Sequence, residues 1–168
     1  MNETETSGGG NGGTNQVPFE HFRFMVDWLL RTRRRYPEMS FGLVLVEFYP
    51  HETIGQAFGA QEAMRKLRGF ADSLSKELRL TDLASRDLTS FWVLLPFTQP
   101  GDAIFGKLAR VVEEARQDGL DVAETRMLGY SVEDEEFLID EYVDGDALLQ
   151  RVRSGAPGGD WVGVAPGA

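Results

Sequence analysis

The pattern of this chain predicts an α/β (α+β) fold: a mixed β-sheet of about five strands with helices on both faces. Three observations carry that expectation. Phe41–Tyr49 is a nearly continuous apolar, β-rich run, the mark of a central strand covered on both sides. Amphipathic helical segments stand before and after it. "TDLASR", "DLTS" and "FWVLLPF" then read as strand, tight turn and strand, a hairpin set among helices.

Each element follows from its own residues. "PFEHFRFMVDWLLRTRRRY" carries Phe22, Met25, Val26, Leu29 and Leu30 on one helical face. Pro18 suits the start of that helix, and the arginines at 31 and 33–35 favour its C-terminus through the helix dipole. After the first strand, "AFGAQEAMRKLRGFADSLSKELR" predicts one long helix with Phe58, Met64, Leu67, Phe70, Leu74 and Leu78 near helical spacing. Beyond the hairpin, "PGDAIFGKLARVVEEARQDG" predicts a second amphipathic helix that Gly119 stops. "LDVAETRMLGYSV" predicts a strand, "DEEFLIDEY" an edge strand, and "DGDALLQRVRS" a short last helix with an aspartate near its N-cap.

The 168 residues suit one domain, with residues 1–16 as a flexible glycine-rich tail, 17–153 as the folded unit and 154–168 as a Gly/Pro-rich tail. No apolar run approaches the roughly 20 residues that span a bilayer, and the N-terminus lacks the basic flank and apolar stretch of a secretory signal. The chain has no cysteine, which excludes disulfides and thiolate metal sites and is compatible with the cytoplasm, the expected location. A formal net charge of −10 argues against a nucleic-acid partner.

Nucleophilic chemistry finds little support. No serine sits in a GxSxG setting, and neither a Walker A motif nor GxGxxG is present. His21 and His51 read as surface residues. A metal-assisted phosphoryl-transfer site needs carboxylates converging from two strand ends. Glu47 supplies one, but the hairpin tip offers Leu88, Thr89 and Ser90, with Asp87 too early. The acidic runs "VEDEEF" and "DEYVDGD" lack the ligand spacing of a calcium loop.

In order and spacing, residues 17–153 resemble a GGDEF domain, the diguanylate cyclase family. "FGLVLVEFYPHETIGQAFGAQEAMRKLRGFADSLSKELRLTDLASRDLTSFWVLLP" is similar to that family's strand, "DxDxFKxxND", "GHxxGDxxL", long helix, "RxxD", "aRxGGDEF" and "vLLP". The resemblance implies a bacterial signalling domain with a palm-like sheet. It also implies GTP and two magnesium ions at the signature hairpin, and cyclic di-GMP as product.

The departures lie at the positions that matter for that chemistry. Glu47 replaces the first metal-binding aspartate, a vestigial metal position, and Tyr49 the second. Glu52 stands for the phosphate lysine, Gly55 and Met64 for the two guanine contacts, and "LTSF" for the signature, while Gly59 is kept. The resemblance thus implies a degenerate, catalytically inactive domain: not an enzyme, with no catalytic residue, bound metal or cofactor.

Arg79-Leu80-Thr81-Asp82 resembles the family's inhibitory RxxD site, which implies cyclic di-GMP as ligand and a receptor role. A guanidinium grips a phosphate or a guanine edge bidentately, and a carboxylate accepts from guanine N–H groups. Arg65, Lys66, Arg68 and Arg86 are further cations near in sequence. The alternative is a nucleotide-independent protein-interaction domain on the same scaffold, with Tyr49, Met64, Leu88 and Trp92 at its apolar cleft and a protein as partner.

Overall fold

The structure, a computed structural model, describes residues 15–132 and 144–155. Helix α1 (Phe19–Arg35) leads into strand β1 (Phe41–Tyr49). Helices α2 (Thr53–Phe58) and α3 (Ala60–Lys76) follow, then the hairpin β2 (Leu83–Asp87) and β3 (Ser90–Pro96). Helix α4 (Asp102–Gln117), a 3-10 turn (Leu120–Val122), strand β4 (Glu124–Val132) and helix α5 (Gly145–Ser154) complete the described elements. The segment expected to form an edge strand, 134–142, lies outside the described residues.

Among the described residues four strands lie in the order β2-β3-β1-β4, and all three pairings are antiparallel. The described sheet is therefore antiparallel where a mixed one was expected; the segment expected to add a fifth strand is not among these residues. Strands β1 and β2 run the same way because the α2–α3 crossover carries the chain back across the sheet. The hairpin then returns β3 into the gap between them, so no parallel neighbours form. The one parallel contact among the described residues is a single bridge from Gln16 to Ala84. There Val17 N–H donates to the Ala84 carbonyl at 2.9 Å, and Ala84 N–H to that of Asn15 at 2.9 Å. Asn15 and Gln16, assigned to the tail from sequence, are therefore docked on the edge of β2.

Helices do cover both faces, as the double-sided apolarity of β1 predicts. On one face α2, α3 and α4 pack over Val44, Val46, Phe48, Phe91, Val93 and Met127. Phe48, Phe70 and Phe91 meet edge to face there, with ring centroids 4.6–6.0 Å apart. On the other face α1 and α5 pack over Phe41, Leu43, Leu45, Trp92, Leu94 and Leu128. Trp92 is a core residue at 1% exposure. Gly129 permits one close approach: a Cβ there would lie 2.3 Å from Cζ of Phe105.

The predicted long helix is interrupted. Gly59 adopts φ 76°, ψ 166°, which ends α2 and starts α3 in a new direction. An L side chain resists that backbone, so glycine sets the break. Gly119 stops α4 as expected, at φ 105°, and Asp144 caps α5 by accepting from the Ala147 N–H at 2.8 Å.

Candidate functional site

Two regions hold the residues singled out from the sequence. One is the sheet edge at the end of β1. Register places Glu47 between Ser90 of β3 and Arg126 of β4. Its carboxylate accepts from Ser90 Oγ at 2.9 Å and from Arg126 Nε at 2.6 Å. Arg126 also donates to the carbonyl of Arg153 at 3.0 Å and lies 5.8 Å from the Tyr49 ring centroid. A second arginine repeats the arrangement. Arg153 donates to Asp87 at 3.4 Å, and its guanidinium is 5.7 Å from the Trp92 ring centroid. The Tyr49 hydroxyl is pushed above its usual range by its hydrogen bond to Glu124, and further by burial.

The hairpin tip completes this edge. Thr89 Oγ1 donates to the Phe48 carbonyl at 2.7 Å, and Leu88 sits at φ 55° and 68% exposed. These donors do not fit a magnesium pair. Of the strand-end carboxylates, Glu47 is held by Arg126 and Asp87 by Arg153, the two-residue tip carries no carboxylate, and no cluster of three potential ligands exists among the described residues. Arg126 and Arg153 were not singled out in the sequence. Their role depends on β4 pairing beside β1 and on where α5 ends, and neither has a local signature. His51 lies beside Glu52 at 3.3 Å and, like His21, is exposed.

The second region is the turn between α3 and β2. Asp82 N–H donates to the Arg79 carbonyl at 3.0 Å, while the Arg79 N–H donates to Asp82 Oδ2 at 2.9 Å. Asn15 Nδ2 adds a bond to the Arg79 carbonyl at 3.4 Å. Asp82 is only 4% exposed, so its carboxylate braces the turn. Arg79 is exposed, and its guanidinium has no partner among the described residues. Both residues line a cavity of about 140 Å³ with Glu77, Thr98 and Lys107. Arg65, Lys66 and Arg86 are engaged elsewhere, with Glu62, the Asp118 carbonyl and Met64 Sδ respectively. The added cation at this cavity is Lys107, which lies 28 positions beyond Arg79 in sequence and meets it only through folding.

No family model matches the chain, and no curated protein matches it. Solved structures do. The GGDEF domain of DgcB from Caulobacter crescentus, solved with c-di-GMP, superposes with a TM-score of 0.59. It shares 13% identity over 92% of this chain and 89% of that one. The FimX GGDEF domain from Pseudomonas aeruginosa gives 0.59 at 11% identity, covering 86% and 88%. The diguanylate cyclase SiaD from the same organism, solved with its activator SiaC, gives 0.52 at 18% identity, covering 86% and 60%.

The chain therefore has the GGDEF-domain fold. The expectation that it is not an enzyme is corrected by these matches, because the fold it shares is that of an enzyme family. That expectation was drawn from side chains at one edge. Backbone architecture is set by the buried faces of the strands and helices, which those replacements leave intact.

Proposed function

We propose that this chain is a GGDEF-fold receptor module that binds cyclic di-GMP at the turn of residues 79–82 and signals its presence to a partner protein. The observation that carries the reading is Arg79. Its guanidinium is exposed and unpartnered among the described residues, on a braced turn at the rim of a cavity that also holds Lys107. The cavity's two carboxylates are engaged, Glu77 by Arg110 and Asp82 by the Arg79 N–H, which leaves the Arg79 guanidinium and Lys107 to meet an anionic dinucleotide. DgcB, which shares the fold, was solved with c-di-GMP.

On this reading the two residues divide the labour. Arg79 contacts the ligand, through phosphate or the guanine Hoogsteen edge. Asp82 holds the backbone that presents Arg79. Calorimetric titration of cyclic di-GMP tests this. Wild type is expected to bind, Arg79→Ala to lose binding, and Asp82→Asn, which keeps an acceptor oxygen, to bind more weakly without complete loss. Undiminished binding by Arg79→Ala would remove the site assignment.

A second reading, a nucleotide-independent protein-interaction domain, is favoured by the exposure of Tyr49, Met64 and Leu88. It predicts a folded protein that gives no heat with cyclic di-GMP.

A further inference from the structure

The cavity beside Arg79 has one more polar side chain in its wall, Gln99. Both amide atoms of Gln99, Nε2 and Oε1, are buried and have no hydrogen-bond partner. Buried amides are nearly always paired, because leaving one unpaired forfeits its hydration with no return. Gln99 also stands on a pinned segment. Phe97 N–H donates to the Ser40 carbonyl at 2.9 Å, and Pro100 lies so close to β1 that a Cβ on Gly42 would meet its Cδ at 2.5 Å. The hydrogen bond from the Arg79 backbone N–H to Asp82 Oδ2 holds that carboxylate to the turn and leaves it little reach toward a base. Among the residues lining the cavity, the unmatched donor and acceptor belong to Gln99, whose amide lies buried behind the wall.

We propose that Gln99 is the specificity-determining residue of this cavity, and that its amide reads the Watson–Crick edge of a guanine by turning out to meet it. Nε2 donates to guanine O6, and Oε1 accepts from guanine N1–H. A primary amide offers that donor and acceptor side by side, which a carboxylate or a guanidinium alone does not. The inference rests on the cyclic di-GMP reading and deepens it: Arg79 contributes charge, and Gln99 recognises the base.

The test uses the full chain in three forms: wild type, Gln99→Met and Arg79→Ala. Methionine matches glutamine in length and has no amide. Cyclic di-GMP affinity is measured by calorimetry, and the melting temperature of each ligand-free protein is recorded. The expected result is that Gln99→Met binds about tenfold or more weakly, while its ligand-free melting temperature is unchanged or raised, since an unpaired buried amide has been removed. Wild-type affinity in Gln99→Met beside lost affinity in Arg79→Ala would overturn the Gln99 inference alone. A clear fall in the ligand-free melting temperature of Gln99→Met would also overturn it, by assigning the amide a structural role. Absence of binding in wild type would overturn both it and the receptor reading.

Discussion

The end of β1 and the turn after α3 each set a carboxylate beside an arginine, yet they are finished in opposite ways. At the strand end, Glu47 meets Arg126 side chain to side chain at 2.6 Å, and Ser90 takes its other oxygen. Charge is answered inside the protein. At the turn, the Asp82 carboxylate binds the Arg79 backbone and leaves the guanidinium unanswered. The first arrangement stabilises the fold, and the second leaves an exposed charge, the one that the proposed function assigns to a ligand. The same pair of residue types is closed on itself or left open according to which atoms are satisfied.

The largest stability change that would break this contrast is at the strand end. Arg126→Met leaves the Glu47 carboxylate, only 15% exposed, with a hydroxyl as its remaining partner. A loss of about 1–2 kcal/mol is expected in urea unfolding, less than for a fully buried pair because Arg126 is itself about a third exposed. Glu47→Gln with Arg126→Met should recover part of it, and a strictly additive double variant would show that the two side chains are not coupled.

At the turn, Asp82→Ala should cost about 1 kcal/mol, since it frees the Arg79 N–H and removes a buried brace. Arg79→Ala should shift stability by no more than about 0.5 kcal/mol while abolishing cyclic di-GMP binding. An equal destabilisation by both changes would erase the distinction between brace and binding group.

The smallest effect concerns pH at the strand end. The pKa of the Tyr49 hydroxyl is raised above the usual tyrosine range in the folded state, mainly by its bond to Glu124. Its contribution is then fully present below about pH 10 and is lost as pH rises through the folded value. Urea midpoints taken from about pH 9 to 11 should fall slightly more for wild type than for Tyr49→Phe. Parallel curves would show that the phenol does not report on this edge.

Much of the fold was legible in the sequence because it depends on periodicity. The nine-residue run of β1, the face of α1, the polar hairpin turn and the Gly119 stop all appeared at the expected places. The split between α2 and α3 was missed because Phe58 and Met64 keep helical spacing across Gly59, so the apolar pattern outvoted a single glycine. The sheet was read as mixed because alternating strands and helices suggest parallel neighbours. The hairpin's return between β1 and β2 is a property of the whole chain.

The candidate site divides along the same line. Arg79 and Asp82 stand three residues apart, so a local turn suffices to bring them together, and the sequence alone determined that they would meet. It also determined which strand is doubly buried and where helices begin and end, since burial period and capping are local in cause. Only the tertiary structure decided that Arg126 answers Glu47, that Lys107 and Gln99 share the cavity of Arg79, and that Asp82 faces inward. Those facts follow from strand register and helix docking, which depend on how all the apolar faces close on one another at once.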